Sequence, residues 1–574
     1  AVRFYQPSIS SIALNRVTGI DPSVILGQLQ ANGRLFLINP NGILFGTGAQ
    51  INVGGLLAST LQIKDSDFMA GRYLFAQDPM KGLGTVINKA TIHVSDHGFV
   101  YLIAPGVAND GVILANLGSV LLGSAQKATI DLMGDGLINY ALSDKVAGQV
   151  KGPDGKPVTS AISNSGLIQA DGGKVMLSAK ASGDVFESVI NQSGVIRARS
   201  LVNHAGVIRL EGGDPVQNTG VLGWKNHLGE VKNADGRVLN TGTLDVSAAE
   251  VGAAPGEITV SGQMVGIAGS ILARGADNAN GGNVLATSSQ KTIVATDAVI
   301  DTSGVGNSSA GNTVIWSDQN TAFRGTILAK GGEAGGNGGQ IEVSGHDNLS
   351  FTGQVNTQAV NGSAGSLLLD PTDIIVATGG TATTGQVDQF ADADAGCTGG
   401  IPCTISPATI VAAGNVTLQA NNDITINNAV AKGGNTLNLQ AGRDINLNAN
   451  ISTANAAISL TANDAGAGAG RAAGTGDITG AGNISAGNAA INLTLGTNAG
   501  GAGSINLTGT ITTTGTTTIN AGATHDATLN NPANNFGTVA ITSGNNVTLR
   551  DTNALVLGAS TVSGNLDVTT GGAL

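Results

Sequence analysis

A short apolar block that returns every 21 residues constrains the fold of this chain more than any other feature. Val416-Thr-Leu-Gln-Ala420 returns as Leu437-Asn-Leu-Gln-Ala441 and again as Ile458-Ser-Leu-Thr-Ala462. A second block, Asp423-Ile-Thr-Ile426, returns at the same spacing as Asp444-Ile-Asn-Leu447. Fixed periods of this order indicate a solenoid, in which each repeat buries its apolar face against its neighbours. The spacing therefore predicts one coil per 21 residues.

A looser cassette recurs between residues 84 and 245, where an apolar residue precedes Asn, a small residue follows and an apolar strand resumes. Its copies are Val86-Ile-Asn-Lys-Ala-Thr-Ile92, Val107-Ala-Asn-Asp-Gly-Val-Ile113, Ile162-Ser-Asn-Ser-Gly-Leu-Ile168, Val189-Ile-Asn-Gln-Ser-Gly-Val-Ile196, Val202-Asn-His-Ala-Gly-Val-Ile208 and Leu239-Asn-Thr-Gly-Thr-Leu244. Asn and Gly suit bends, and no long window shows helical periodicity. We predict an all-β chain that forms a right-handed parallel β-helix with small extra-helical β elements.

The composition supports a repetitive β-structure and excludes several partners. The chain has 574 residues, of which 87 are Gly, and only 3% are aromatic, so Ile, Val, Leu and Ala must fill the core. The formal net charge is -12, and the 27 basic residues are scattered without a dense run. Because phosphate binding needs clustered Lys and Arg, no nucleic-acid partner is expected.

Two cysteines, Cys397 and Cys403, enclose Thr-Gly-Gly-Ile-Pro. Two thiols without matching His residues do not make a zinc site, so no metal or other cofactor is expected. In an oxidising compartment they predict a local disulfide, with free thiols as the alternative.

A boundary is expected near residues 366–405. Ser366-Leu-Leu-Leu-Asp-Pro371 closes the first region, and a Thr/Gly/Ala/Asp-rich stretch follows it. Ser406-Pro-Ala-Thr-Ile-Val-Ala-Ala413 then predicts a short helix with Ser406 as its cap. We divide the chain into residues 1–125, a β-helical continuation at 126–371, a linker or insert at 372–405 that contains both cysteines, and a repetitive β-helical shaft at 406–574.

A tight turn, Asn39-Pro-Asn-Gly42, lies between the apolar strands Gly33-Arg-Leu-Phe-Leu-Ile38 and Ile43-Leu-Phe45. Pro40 presets φ for the second turn position, and the Asn side chains can cap their own backbone. Any β-protein could contain such a turn.

The blocks around this turn resemble a known family. They are Ala13-Leu-Asn-Arg-Val-Thr-Gly19, Ile25-Leu-Gly-Gln-Leu29, Asn32-Gly-Arg34 and Ile51-Asn-Val-Gly-Gly-Leu-Leu-Ala-Ser-Thr60. Together with the turn they resemble the secretion domain of two-partner secretion exoproteins, the filamentous-haemagglutinin and high-molecular-weight-adhesin family. The resemblance implies a secretion motif at Asn39, Pro40, Asn41 and Gly42, with Asn15, Arg16 and Gly19 in its flanking block. The alternative is that these residues only build the turn and its packing.

The resemblance also implies an export route and a biological function. Residues 1–125 correspond to the secretion domain without its signal peptide and opening strands, so we interpret the chain as truncated at its amino terminus. A partner outer-membrane β-barrel with POTRA domains exports such proteins, which are secreted or held on the surface of Gram-negative bacteria. The implied function is adhesion or haemagglutination in virulence, through a host-cell, glycan or exopolysaccharide ligand.

Two other functions stay open at this point. The shaft could carry a secreted cytolysin or a contact-dependent toxin beyond residue 574, or the solenoid could process polysaccharides. Glycoside hydrolysis needs two carboxylates about 5 to 10 Å apart. Asp370 and Asp373 are the nearest such pair, but they belong to the boundary segment. We therefore expect no catalytic residues and no enzymatic activity.

Overall fold

The structure is a computed structural model that describes residues 1–132, 139–214, 234–378, 403–467, 471–498 and 500–574. Contacts divide the chain into two compact units. Unit 1 contains residues 1–314 and 331–336, and unit 2 contains residues 315–330, 337–378 and the described residues from 403 onward. Within the described ranges the regular elements are β-strands and two short helices, Asp65–Met69 and Pro407–Ala412.

Three parallel ladders build unit 1. The first ladder consists of Ile12–Arg16, Arg34–Ile38, Gly55–Ser59, Phe99–Ala104, Ser119–Ser124, Lys174–Ala179, Val207–Gly212, Glu257–Ile267 and Asn283–Val294. The second consists of Ser23–Ile25, Ile43–Phe45, Thr85–Asn88, Gly106–Asn109, Ser160–Asn164, Ser188–Gln192 and Arg237–Asn240, and then the second halves of the last two strands of the first ladder. The third consists of Val2–Phe4, Gln28–Ala31, Gln50–Val53, Thr91–Val94, Val112–Leu114, Leu167–Gln169, Val195–Arg197, Thr243–Asp245, Ser270–Leu272 and Val299–Asp301.

The chain visits the three ladders in turn, so unit 1 is the parallel β-helix that the sequence predicts. Its core consists of aliphatic columns, because the parallel register places equivalent residues of successive coils directly over one another. In the third ladder the buried column contains Leu29, Ile51, Ile92, Ile113, Ile168, Ile196, Leu244, Ile271 and Ile300. Such columns need β-branched and aliphatic residues, which explains the low aromatic content.

A small antiparallel sheet lies outside the coils of unit 1. It contains Gln62–Ile63, Tyr73–Ala76, Lys127–Asp131 and Asn139–Ser143. Tyr73 and Phe75 from this sheet pack with Phe36 and Tyr101 of the first ladder in one buried cluster. The rings of Phe36 and Tyr73 meet edge to face with centroids 5.4 Å apart. The predicted extra-helical β element is therefore confirmed.

Unit 2 is also built from parallel strands. One ladder contains Gln340–Gly345, Ser366–Leu369, Asn415–Ala420, Leu437–Ala441, Ile458–Ala462, Ile491–Leu495, Ile511–Asn520, Asn535–Gly544 and Val556–Val562. A second contains Ile374–Val376, Ile424–Ile426, Ile445–Leu447, Gly476–Gly480, Ala502–Leu507, Ala527–Leu529, Val547–Asp551 and Leu566–Thr570. A third contains Val430–Lys432, Ile451–Thr453 and Ile484–Ser485, followed by the first residues of Ile511–Asn520 and Asn535–Gly544.

The remaining strands are few. Asn320–Phe323 pairs with Asn348–Phe351, and Thr326–Leu328 pairs with Gln354–Asn356. Strand Thr313–Ser317 contains the point where the two units divide.

The 21-residue period is confirmed as the register of the coils that contain the repeated blocks in unit 2. Val416 pairs with Leu437, which pairs with Ile458, and Ile424 pairs with Ile445. The following coil is longer, since Ile458 pairs with Ile491. Each repeat of the apolar block is therefore one coil of the solenoid.

The Asn cassette of unit 1 forms a buried amide ladder, with one correction to the sequence alignment. Asn88 Nδ2 donates to Asn109 Oδ1 at 2.7 Å, and Asn109 Nδ2 donates to Asn164 Oδ1 at 2.6 Å. In the next coil Gln192, and not the cassette residue Asn191, accepts from Asn164 at 2.6 Å. Because the register pairs Asn164 with Gln192, Asn191 points outward.

The copy at Val202–Ile208 does not belong to this ladder. Asn203 is exposed and has a φ of 63°, in a turn, and the strand that follows joins the first ladder instead. A similar sequence therefore forms a different corner of the coil. The cassette predicts that the chain bends, but it does not predict which corner the bend occupies.

The predicted helix after the boundary is present as Pro407–Ala412, but Ser406 makes no side-chain capping hydrogen bond. Lys432 Nζ instead serves the other end of this helix, donating to the Ile410 and Ala413 carbonyls at 2.9 Å each. Most of the predicted linker at 372–405, including Cys397, lies outside the described residues. Cys403 is disulfide-bonded, and its pairing with Cys397 stays a prediction.

Candidate functional site

The Asn39–Gly42 turn closes the corner between strands Arg34–Ile38 and Ile43–Phe45. The Gly42 N–H donates to the Asn39 carbonyl at 3.1 Å, which closes the tight turn that the sequence predicts. The Asn39 N–H donates to the Ser59 carbonyl of the next coil at 3.0 Å. The turn is therefore joined to the stacked coils through its first residue.

The Asn39 side chain is fully buried, and all its polar atoms are bonded. Its Nδ2 donates to the Asp21 carbonyl and to Ser23 Oγ at 3.0 Å each. Its Oδ1 accepts from the Asn41 N–H at 2.9 Å and from Asn41 Nδ2 at 3.1 Å. Only an amide supplies two donors and an acceptor in this shape, so neither Asp nor Leu can replace Asn39 without loss. A partner cannot touch this side chain while the corner is folded.

Pro40 and Gly42 complete the corner through their backbone. Pro40 is buried. Gly42 has a φ of 117°, which L side chains rarely adopt, and its carbonyl accepts from the Ser23 N–H at 3.0 Å. The conformation, and not a lack of space, explains why glycine stands here, because the nearest atom to an added Cβ is 3.5 Å away.

Asn41 is the half-buried member of the motif and connects it to other segments. Its Nδ2 donates to the Gly19 carbonyl at 2.9 Å, and its Oδ1 accepts from Lys81 Nζ at 3.3 Å. Gly19 is exposed, and a Cβ added there meets no atom within 4 Å. Gly19 therefore contributes a carbonyl oxygen to the site, and its lack of a side chain is not required.

Asn15 and Arg16 lie on strand Ile12–Arg16, which pairs with Arg34–Ile38. Arg16 donates through Nη1 to Asp65 Oδ1 at 2.7 Å and through Nη2 to the Ile63 carbonyl at 2.5 Å. Asn15 is half-buried and is paired through its backbone with Leu37. The structure thus brings Gly19 to the turn, whereas Arg16 braces the extra-helical sheet.

Two adjoining clefts open beside the turn, and the sequence did not reveal them. One has a volume of about 370 Å³ and is lined in part by Pro40, Asn41 and Gly42. The other, of about 540 Å³, is lined in part by Ile87 and Ala108, and Leu44 lines both clefts. A hairpin at residues 151–157 forms their common wall. Its Lys-Gly-Pro-Asp-Gly-Lys-Pro sequence is a turn signal that could have located the wall.

The carboxylates noted as an enzymatic pair have separate structural roles in unit 2. Asp373 Oδ1 accepts the Asp423 N–H at 3.1 Å, as part of a column of backbone caps. Asp370 lies close enough to Glu342 to add to the effect of burial, and together they raise the pKa of Glu342 to about 7. Within the described ranges no group of three His, Cys, Asp or Glu residues is placed to hold a metal ion. Neither helix in those ranges is long and apolar enough to cross a bilayer.

Comparisons with known proteins place part of the chain in a known family of secretion domains. Residues 1–223 match the family model described as the TPS secretion domain, and residues 492–543 and 544–574 match one described as repeats of unknown function, DUF5649. Two relatives from Haemophilus influenzae are each named heme/hemopexin-binding protein. One is 34% identical over 220 residues, or 37% of this chain and 22% of the relative. The other is 29% identical over 232 residues, or 36% of this chain and 23% of the relative.

A solved structure is also similar to part of the chain. The crystal structure of the HMW1 secretion domain from Haemophilus influenzae is 26% identical, covers 64% of this chain and 83% of that chain, and superimposes with a TM-score of 0.43. The chain spans about a fifth of the length of the two curated relatives. None of these matches carries the name of an enzyme.

A parallel β-helix with a TPS secretion domain over residues 1–223 defines a class of secreted β-solenoid proteins. This chain is a two-partner secretion exoprotein with an amino-terminal secretion domain. Such exoproteins are located on the surface of Gram-negative bacteria or released from it. The match extends beyond residue 125, and the predicted boundaries at 125, 371 and 405 stay predictions.

Proposed function

We propose that this chain is a surface adhesin or haemagglutinin-type exoprotein, exported across the outer membrane by a partner β-barrel transporter with POTRA domains. The match of residues 1–223 to the TPS secretion domain carries the export part of the proposal. The second part, action by binding, is supported by the parallel coils of unit 2, which present side chains along a solenoid face.

Each motif residue has a role in this proposal. Asn39, Pro40 and Gly42 build the corner, since two of them are buried side chains and the third supplies the required backbone conformation. Asn41 presents the accessible polar atoms of the motif, and Gly19 holds Asn41 in place. Asn15 lies on the strand that pairs with Arg34–Ile38, and Arg16 braces the extra-helical sheet. The motif thus acts chiefly by forming a surface that the transporter recognises.

The export part is tested in cells that produce the chain with its partner transporter and in cells that lack only the transporter gene. We expect the chain outside the cell or on its surface in the first strain and in the periplasm in the second. Undiminished surface display without the transporter would contradict the proposal. A periplasmic marker enzyme, measured in both strains, controls for lysis.

The binding part is tested with the purified chain against host cells, glycan arrays and exopolysaccharide. Haem and hemopexin belong in the same panel, because two relatives are named for binding them. Saturable binding to one of these ligands supports an adhesin or a binding protein. Turnover of a glycan by the purified chain would instead favour the polysaccharide-processing function.

A further inference from the structure

The second ladder of unit 1 has an outward column of side chains that changes from apolar to polar along the coils. Its members occupy equivalent positions of successive strands, in the order Val24, Leu44, Ile87, Ala108, Ser163 and Asn191. All six line the two clefts beside the turn, and Leu44 lines both. The clefts, of about 370 and 540 Å³, therefore adjoin over this column. We call the two clefts together the amphipathic groove.

A hairpin at residues 151–157 forms one wall of the groove and is packed onto the coils. The Val158 N–H donates to the Val150 carbonyl at 3.0 Å, which closes the base of the hairpin. A Cβ added to Gly106 would lie 3.0 Å from Val150 Cγ1, so this base contacts the second ladder closely. The wall is thus in place before a ligand arrives, which lowers the ordering cost of binding.

The lining around the apolar column is aliphatic. Pro22 and Leu83 contribute to one cleft, and Pro157 and Val158 contribute to the other. Among the described residues that line the groove, none is an aromatic residue, His, Cys or Met. Such a lining makes dispersion contacts with an alkyl chain. It offers no ring to stack on a sugar or a porphyrin, and none of the side chains that usually bind haem iron.

The cleft that contains the polar end of the column is positively charged at its edge. Lys89 and Lys156 line this cleft, Lys151 lines the other, and all three are exposed. Within the described part of the chain none of the three forms an ion pair. Asp154 also lines both lysines' cleft, and its Oδ1 accepts the Lys156 N–H at 3.1 Å. The polar end therefore favours a negatively charged group.

The length of the apolar column sets the length of chain that it can cover. Neighbouring strands are about 4.8 Å apart, so the four positions from Val24 to Ala108 span about 14 Å. An extended alkyl chain with C–C bonds of about 1.5 Å advances about 1.25 Å per carbon, so about twelve carbons match this span.

We propose that the amphipathic groove binds an anionic amphiphile, whose alkyl chain lies along the apolar column and whose carboxylate or phosphate meets Lys89 and Lys156. The groove is built from separate segments and exists only in the folded coils, so the folded exoprotein meets this ligand outside the cell. The site goes beyond the proposed function, because it adds a small-molecule site in unit 1 that does not depend on binding by unit 2.

The test is isothermal titration of the full, folded, purified chain with dodecanoate and with dodecyl phosphate, below the concentrations at which they form micelles. We expect saturable binding of one molecule per chain. Dodecyltrimethylammonium has the same alkyl chain with a positive head and should bind at least tenfold more weakly. Hexanoate has half the chain and should bind at least a hundredfold more weakly.

An apolar variant locates the alkyl chain. Ile87→Asn removes aliphatic contacts from the middle of the column, and we expect about tenfold weaker binding of dodecanoate. Asn suits this strand position, because Asn191 occupies it in a later coil. Val112→Asn is the matched control, since Val112 is also β-branched and half-buried on a strand of unit 1 but lines neither cleft. The control should change the affinity less than twofold.

A charge series locates the head group and does not depend on the folding of Ile87→Asn. Lys89→Gln and Lys156→Gln change exposed residues, and each should weaken binding about threefold at low salt, with less effect at high salt. Lys64→Gln removes an exposed positive charge that lines neither cleft and should leave the affinity unchanged.

Sedimentation with phosphatidylglycerol vesicles distinguishes two sources of the amphiphile. Binding to the vesicles that dodecanoate displaces, and that Ile87→Asn loses, identifies the acyl chain of a membrane lipid. Binding of dodecanoate without binding to the vesicles identifies a free amphiphile.

Two results would overturn the site. One is the lack of saturable dodecanoate binding by the wild-type chain. The other is unchanged binding by Ile87→Asn and by both lysine variants, which would show adsorption elsewhere on the coils. Binding of host cells or glycans by the same preparation would still support the proposed function, so the two proposals can fail separately.

Discussion

In both units side-chain oxygens accept backbone N–H groups at the corners, but the Asn39 corner of unit 1 also depends on hydrogen bonds that its side chain donates. In unit 1 the buried Asn39 amide accepts the Asn41 N–H and also donates to Asp21 and Ser23. In unit 2 Asp423 Oδ1 accepts the Asp444 N–H at 3.1 Å, and Asp444 Oδ1 accepts the Asp477 N–H at 2.9 Å. Each carboxylate of this column needs only to accept.

This difference distinguishes the Asn39 corner of unit 1 from the acidic column of unit 2, in which the same contact recurs from coil to coil. Asn39 joins the turn to residues 21–23 through four side-chain hydrogen bonds, two of which it donates. A member of the acidic column links only successive coils, and the coils above and below keep their own links. We therefore expect substitutions at the Asn39 corner of unit 1 to cause a large and local loss of stability. Equivalent substitutions in the acidic column of unit 2 should change stability little. Four substitutions test this expectation, from the largest effect to the smallest.

The largest effect is expected for Asn39→Asp. The new carboxylate keeps the shape but loses the donors to the Asp21 carbonyl and Ser23 Oγ, and it places a buried charge beside two acceptors. The free energy for opening this part of unit 1 should fall by about 3 kcal/mol. Hydrogen exchange of strand Arg34–Ile38 in the full chain measures the change. Exchange in strand Leu437–Ala441 should stay the same and serves as the internal control.

The next effect concerns Glu342, which lies in unit 2 on strand Gln340–Gly345 and outside the acidic column. Burial, and then the charge of Asp370, raise its pKa to about 7 from 4.5. Between these two pH values the folded state holds more protons than the unfolded state, so this group's contribution to stability falls as the pH rises. Glu342→Gln removes the ionisation and should stabilise unit 2 by about 2 kcal/mol at pH 8, after allowance for solvent screening.

The same variant should equal wild type near pH 4, where the glutamate is protonated in both states. Urea titration of the full chain at the two pH values, followed by exchange in strand Gln340–Gly345, gives the comparison. An equal effect at both pH values would mean that packing, and not ionisation, controls this position.

A smaller effect is expected for Gly42→Ala, because the φ of 117° strains any residue with a Cβ. The cost should be about 1 to 2 kcal/mol, measured by exchange in strand Ile43–Phe45. Gly19→Ala is the matched control, since that position has open space and no unusual φ, and it should change stability by less than about 0.5 kcal/mol. Similar costs for both glycines would show that the corner is less restrictive than its geometry indicates.

The smallest effect is expected for Asp444→Asn, the reverse of the isosteric change at Asn39. The amide keeps the oxygen that accepts the Asp477 N–H. Burial, with the charges of Asp423 and Asp477, raises the pKa of Asp444, so losing the charge relieves a mild repulsion. Stability should change by less than about 0.5 kcal/mol in a urea titration. A loss above about 2 kcal/mol would contradict the view that unit 2 spreads its stability over equivalent coils.

The coils of unit 2 that contain the repeated blocks could be predicted because their 21-residue period is visible in the amino-acid sequence. The spacing from Val416 to Leu437 and Ile458 is the register itself. In unit 1 the cassette alignment places Asn191 where the structure has Gln192, because only the register of the strands shows which side chain points inward. Sequence periodicity therefore predicts the coils, whereas the direction of a side chain requires the register of the strands.

The candidate site was predictable in part for a similar reason. The turn follows from local chemistry at Pro40 and Gly42. The contacts of Asn39 with Asp21 and Ser23, and of Asn41 with Lys81, depend on how separate coils stack, which no local pattern records. The two clefts beside the turn also escaped prediction, because their lining comes from strands and a hairpin that are distant in sequence.

Export of the matched pair Asn39→Asp and Asp444→Asn by the partner transporter tests the central claim most directly. The amount of each full chain outside the cell is measured against wild type and against the periplasmic pool. We predict that Asn39→Asp remains in the periplasm and that Asp444→Asn is exported like wild type. Wild-type export of Asn39→Asp, or an equal block of both variants, would contradict the account that the corner of unit 1 specifies export while unit 2 supplies repeated coils.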